Sequence, residues 1–136
     1  MLTRERVLAS LKVYQNAWET QDPKLIVTIF TEDAIYHERV FERPVRGHDG
    51  IRRYWMTRVV KHQANISFRV LNLYLDGSTA VAEWEASFDD LPQKVRKRIR
   101  EVAILDFRDD LICGLREYWS TEVLGRLGET KRRVRR

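Results

Sequence analysis

The chain has 136 residues and one cysteine, Cys113, a length that suits one domain with its own hydrophobic core and excludes an internal disulfide. The formal net charge of +5 is carried by the five Lys and Arg residues of the terminal stretch KRRVRR (131–136), so the rest of the chain is neutral. No aromatic residue interleaves with those terminal charges for base stacking, which argues against nucleic acid as a partner.

Residues 3–20 are predicted as a helix. Val7, Leu11, Tyr14 and Trp18 form one stripe at helical spacing, with Leu8 and Ala17 beside it, Thr3 as cap and Glu5 in the first turn. Asp22-Pro23 ends this helix and starts a short second one, with Leu25, Ile26, Ile29 and Phe30 facing inward. A brief strand is expected over Ala34–Glu38, then an irregular loop over 39–47 punctuated by Pro44 and Gly47. A third helix is expected over roughly Asp49–His62, with Ile51, Tyr54, Trp55 and Val59 as its apolar side.

After Asn65 the period changes from helical to alternating. ISFRVLNLYL leads through Asp76-Gly77 into AVAEWEASF, a strong hairpin signal. RIREVAILDF and LICGLREYWS follow, joined at Asp109-Asp110. Three helices followed by a four-strand meander define an α+β fold, one domain over 1–125 with a basic tail over 126–136. No run approaches the roughly 18 apolar residues of a membrane span. The charged N-terminus lacks a cleavable apolar segment, which predicts a cytoplasmic protein.

AVAEWEASF poses a question of direction. Its hydrophobic pattern puts Ala80, Ala82, Trp84, Ala86 and Phe88 on the core side and Glu83 and Glu85 in water. The opposite direction would place both glutamates in a cavity. The three histidines lack the spacing and acidic support of a metal site, and no phosphate-cradling glycine loop or nucleophile elbow occurs. Neither a metal nor another cofactor is expected.

The segments AWETQDPKLIVTIFTEDAIYHE, RGHDGIRRYW, DGSTAVAEWEASF, VAILDF and LREYWS, in this order, resemble the SnoaL-like branch of the nuclear transport factor 2-like superfamily over about residues 5–122. The resemblance implies a conical α+β barrel, a curved antiparallel sheet wrapped around three N-terminal helices. It also implies a homodimer packed through the outer sheet face and an internal pocket for a small, largely apolar organic ligand. Members include ketosteroid isomerases, polyketide cyclases, limonene epoxide hydrolases and dehydratases. The implied activity is therefore cofactor-free acid–base chemistry; the alternative is a non-catalytic ligand-binding or interaction module.

Position by position, Tyr14 matches the oxyanion-stabilising tyrosine of the isomerases and Glu38 their general base. The third isomerase group falls at Ala103, which has no proton to donate. The Arg-x-Asp pair of the epoxide hydrolases falls at Glu83 and Glu85, and their second aspartate at Glu117. The resemblance thus turns Glu38, Glu83, Glu85 and Glu117 inward, with Trp84 and Phe88 packed against a partner subunit. Carboxyls gathered in a poorly hydrated pocket raise one another's pKa and become poised for proton transfer. Trp18, Tyr36, Trp55 and Trp119 are the expected pocket walls.

Overall fold

The computed structural model describes residues 1–128. Of the predicted basic tail, residues 129–136 lie outside the described residues. Thr3 starts α1 (Arg4–Glu19) by accepting a hydrogen bond from the Arg6 N–H, and its buried stripe is Val7, Leu11, Tyr14 and Trp18, as the spacing predicts. Asp22 caps α2 (Pro23–Ile26) through the N–H groups of Lys24 and Leu25, with proline at the first helical position, where its missing donor is harmless.

A single 3-10 turn, Val27–Ile29, leads into β1 (Phe30–His37), which begins earlier than predicted and takes Phe30 out of the second helix. The irregular loop includes a two-residue strand, β2 (Val45–Arg46), paired with Ile35 and Tyr36. Gly47 then turns the chain at φ +70°, where a Cβ would sit 3.1 Å from the Glu32 carbonyl; glycine answers both constraints. The third helix, α3 (Gly47–Trp55), starts there and passes into a π-helical turn, Met56–Val60, instead of continuing regularly to His62.

The meander consists of β3 (Gln63–Asp76), β4 (Thr79–Asp90), β5 (Val95–Arg108) and β6 (Leu111–Arg126). Its tight turns obey the local signals. Gly77 has φ +61° in the first, and Asp109 and Asp110 both have positive φ in the second, as a primed turn requires. β6 extends through Arg126, which pairs with Val95.

The six strands form one sheet in the order β2-β1-β6-β5-β4-β3, antiparallel except for the parallel β1–β6 pair. Register shifts within β3 help it curve. The sheet's concave face packs on the helices to give the expected α+β architecture. Along β4 the buried residues are Ala80, Ala82, Trp84, Ala86 and Phe88; along β5 they are Ile99, Glu101, Ala103, Leu105 and Phe107. Two acids, Glu101 and Glu117, thus share the inner face with the apolar core. No helix among the described residues is long and apolar enough to cross a membrane.

Candidate active site

Between the helices and the concave face lies a cavity of about 400 Å³. Tyr14 and Trp18 of α1 form one wall, Tyr36 of β1 and Trp55 of α3 another, and Phe88 and Trp119 the sheet side. Glu101 and Glu117, only 4% and 3% exposed, form its acidic depth.

A directed hydrogen-bond chain reaches this acidic end. The Trp55 indole, which can only donate, gives its hydrogen to the Tyr36 hydroxyl at 3.2 Å. Tyr14 donates to Glu117 Oε2 at 3.2 Å. The 3.5 Å contact between the two tyrosine hydroxyls is then best filled with Tyr36 as donor and Tyr14 as acceptor. Burial, reinforced by the Glu117 charge, pushes both tyrosines well above their ordinary pKa, so they serve as neutral hydrogen-bond donors.

Glu101 and Glu117 are diagonal neighbours on the inner face of adjacent strands, Glu101 opposite Trp119 and Glu117 opposite Ala103, so two buried carboxyls lie side by side. Burial pushes Glu117 well above the carboxylate range, and the neighbouring Glu101 charge pushes it further. Burial also raises Glu101, to about 7. Among the described residues, the Glu101 Oε2 atom and the Trp84 indole nitrogen are buried without a hydrogen-bond partner. Burial thus biases both carboxyls towards the protonated form, and a coupled pair of this kind can hold and exchange a proton near neutral pH.

Seven of the predicted residues line the cavity: Tyr14, Trp18, Tyr36, Glu38, Trp55, Glu117 and Trp119. Glu38 lies towards the mouth, where the Tyr54 hydroxyl donates to its Oε1 and Arg39 Nε sits 3.4 Å from the same oxygen. Trp119 is 37% exposed and donates through its indole to the Glu38 carbonyl at 3.1 Å, tying β6 to the end of β1. Ala103 is fully buried on the inner face but does not border the cavity.

The inward placement of Glu83 and Glu85 is corrected. Trp84 is fully buried inside the cone, with its ring centroid 5.0 Å from Tyr14 and 5.3 Å from Phe68, and needs no partner subunit to cover it. Strand alternation then turns Glu83 and Glu85 to the outer face. There Glu85 meets Arg100 at 2.7 Å and Arg69 at 3.3 Å, while Glu83 accepts from Asn72 at 2.7 Å.

Glu101 is the acid that the residue-by-residue comparison missed. The signal was present: Ala103 was expected inside, and alternation along RIREVAIL places Glu101 on the same face. Among the described residues, no three His, Cys, Asp or Glu side chains converge as metal ligands.

A curved sheet closed by helices over an aromatic cavity, with acids on the inner face, defines the ketosteroid isomerase-like class of α+β folds. More narrowly, the chain belongs to the SnoaL-like domain family, which matches residues 11–115. A Catenulispora acidiphila protein of ketosteroid isomerase-like fold, solved in complex with trimethylamine, is similar at 18% identity and a TM-score of 0.74, with 88% of each chain covered. An epoxide hydrolase from Mycobacterium tuberculosis, described as LEH-like, aligns at 15% identity and a TM-score of 0.69, covering 85% of this chain and 84% of its own. The epoxide hydrolase/cyclase-like enzyme SalBIII, with a role in pyran ring formation in the polyether salinomycin, aligns at 21% identity and a TM-score of 0.74, covering 88% and 96%. No curated protein matches significantly.

Proposed function

We propose that this protein opens an epoxide on a small, largely apolar organic molecule by cofactor-free acid–base catalysis. The observation that carries the reading is the buried Glu101–Glu117 pair at the acidic end of the aromatic cavity. The structural likeness to an epoxide hydrolase and an epoxide hydrolase/cyclase-like enzyme supports the same direction.

In this reading, ionised Glu101 takes the proton from an attacking water or hydroxyl as its oxygen bonds to an epoxide carbon. The C–O bond at that carbon breaks, and the departing oxygen takes the proton of Glu117. Glu101 is then protonated and Glu117 ionised, and proton exchange between these neighbouring carboxyls restores the starting state. Tyr14, already donating to Glu117, steadies that carboxylate while it is charged. Water as nucleophile gives a diol; a hydroxyl of the same molecule gives a cyclic ether. Isomerisation with Glu38 as base is less well supported, because Tyr54 and Arg39 already engage that carboxylate and Ala103 supplies no proton.

The test is turnover of a panel of apolar epoxides, with and without a tethered hydroxyl. Wild type is expected to form diol or cyclic ether, and Glu101→Gln to lose about 100-fold or more of that rate. Undiminished turnover by Glu101→Gln would overturn the assignment.

A further inference from the structure

The inner end of the cavity is acidic, whereas its mouth carries charges of both signs with one cation in excess. Arg39, Arg58 and Lys97 border the space, with His62 beside them. Two of these cations are matched: Arg39 lies 3.4 Å from Glu38, and Lys97 lies 2.9 Å from Asp90. Arg58 makes no ion pair among the described residues; its guanidinium sits over the Tyr54 ring, 5.7 Å from the centroid. Tyr54 directs its hydroxyl to Glu38, so it offers Arg58 its ring face and leaves the guanidinium N–H groups to other acceptors.

Arg58 is held in place by a braced turn. It lies in the π-helical turn Met56–Val60, closed by the Lys61 N–H on the Met56 carbonyl at 3.2 Å. Gln21 Nε2 donates to the Val59 carbonyl at 2.9 Å and to the Gln63 carbonyl at 2.7 Å, pinning the turn to the end of α1. Val59, next to Arg58, is buried and lines the cavity. A wide turn that is supplied with an outside donor is a built feature, and its effect is to hold an unmatched cation at the entrance.

We infer that the ligand is an amphipathic monoanion, bound with its apolar body among the aromatic walls and its carboxylate at the mouth on Arg58. This deepens the proposed activity and rests on it for the ligand's direction, with the reacting oxygen at Glu101 and Glu117. The reverse direction would press a carboxylate against two desolvated carboxyls, where like charges are least tolerated. A cationic ligand would meet the unmatched Arg58 at the entrance, where Arg39 and Lys97 are already paired with Glu38 and Asp90. A guanidinium stacked on a ring still presents its N–H fork to a carboxylate, and such charge-assisted bonds are stronger than neutral ones.

The experiment is calorimetric titration of the full chain with octanoate, octanamide and octylamine, which share one apolar body. Octanoate is expected to bind about tenfold more tightly than octanamide, with the margin shrinking as salt rises. Arg58→Gln is expected to erase the margin and leave octanamide within about twofold, while Arg58→Lys, which keeps the charge, retains part of it. Equal affinity for octanoate and octanamide, tighter binding of octylamine, or a margin untouched by Arg58→Gln would each overturn the inference. Equal affinity would leave the apolar-cavity reading standing, whereas no binding of any of the three would overturn both. The margin is read without turnover, so its presence in a protein inactive on epoxides would support the anionic ligand and sink only the proposed chemistry.

Discussion

Glu85 and Glu101 occupy neighbouring strands of one sheet, and their surroundings treat the same carboxyl in opposite ways. Glu85 faces outward, where hydrogen bonding to Arg100 and then to Arg69 holds it below the ordinary carboxylate range. Glu101 faces inward, where burial raises it to about 7. Arg100 is directly opposite Glu85, and Glu101 is the very next residue. One step along a strand thus separates a solvated ion pair from a poised acid, because consecutive side chains leave opposite faces. Residue type counts for less than face in this sheet.

The largest effect that could break this contrast concerns Trp84, the residue that sets the inner face. Its indole is fully buried between Tyr14 and Phe68, and Trp84→Ala is expected to cost about 3–5 kcal/mol in denaturant unfolding. On the outer face, Tyr118→Ala removes a ring that is 47% exposed and is expected to cost about 1 kcal/mol or less. Comparable losses at the two positions would mean that the faces have been assigned the wrong way round.

The same residue explains what was legible in the sequence. The α1 stripe, the Asp22-Pro23 boundary and the turns at Asp76-Gly77 and Asp109-Asp110 depend on local geometry, and all are found where the pattern puts them. The alternation of AVAEWEASF also points the right way, with Trp84 inside. The positional match to the epoxide hydrolases points the wrong way at Glu83 and Glu85, since there it needs a partner subunit to bury Trp84, while the Glu117 it also names does line the cavity. Strand parity is a local signal, whereas the match assumes an unbroken register across several strands. Glu101 was obscured for a related reason. It sits between Arg100 and Val102 in a charged-looking run, and although alternation turns it inward, only the β5–β6 register sets it beside Glu117. The π-helical turn that carries Arg58 has no comparable sequence signature, because its stabilising donor, Gln21, is 38 residues from Val59.

A pH titration of stability sharpens the contrast next. A carboxyl whose pKa is raised in the folded state keeps a proton that the unfolded chain has already released. The protein is therefore expected to lose stability as pH rises from about 4.5 to 7, the interval over which Glu101 is shifted. The magnitude is on the order of 3 kcal/mol for that one group, and raised Glu117 acts in the same sense. Glu101→Gln, measured by denaturant unfolding across the same interval, is expected to remove the Glu101 share of the slope, and Glu117→Gln added to it to flatten most of the rest. A slope undiminished in the double variant would place the titrating groups elsewhere.

Glu85→Gln is the smallest expected effect. Its carboxylate is depressed in the folded state, so its stabilising share is present above the ordinary glutamate pKa and fades as pH falls through the lower folded value, opposite in sign to Glu101. Arg100 and Arg69 also remain solvated after the substitution, 52% and 69% exposed, so the lost pairing is replaced by water. The unfolding midpoint at neutral pH is expected to move little, and turnover of any epoxide the wild type accepts to stay within about twofold. A catalytic loss approaching that of Glu101→Gln would mean that the outer face takes part in the chemistry. Without that loss, two glutamates on adjacent strands would differ in function only because one faces arginines in water and the other faces a second acid among aromatic rings.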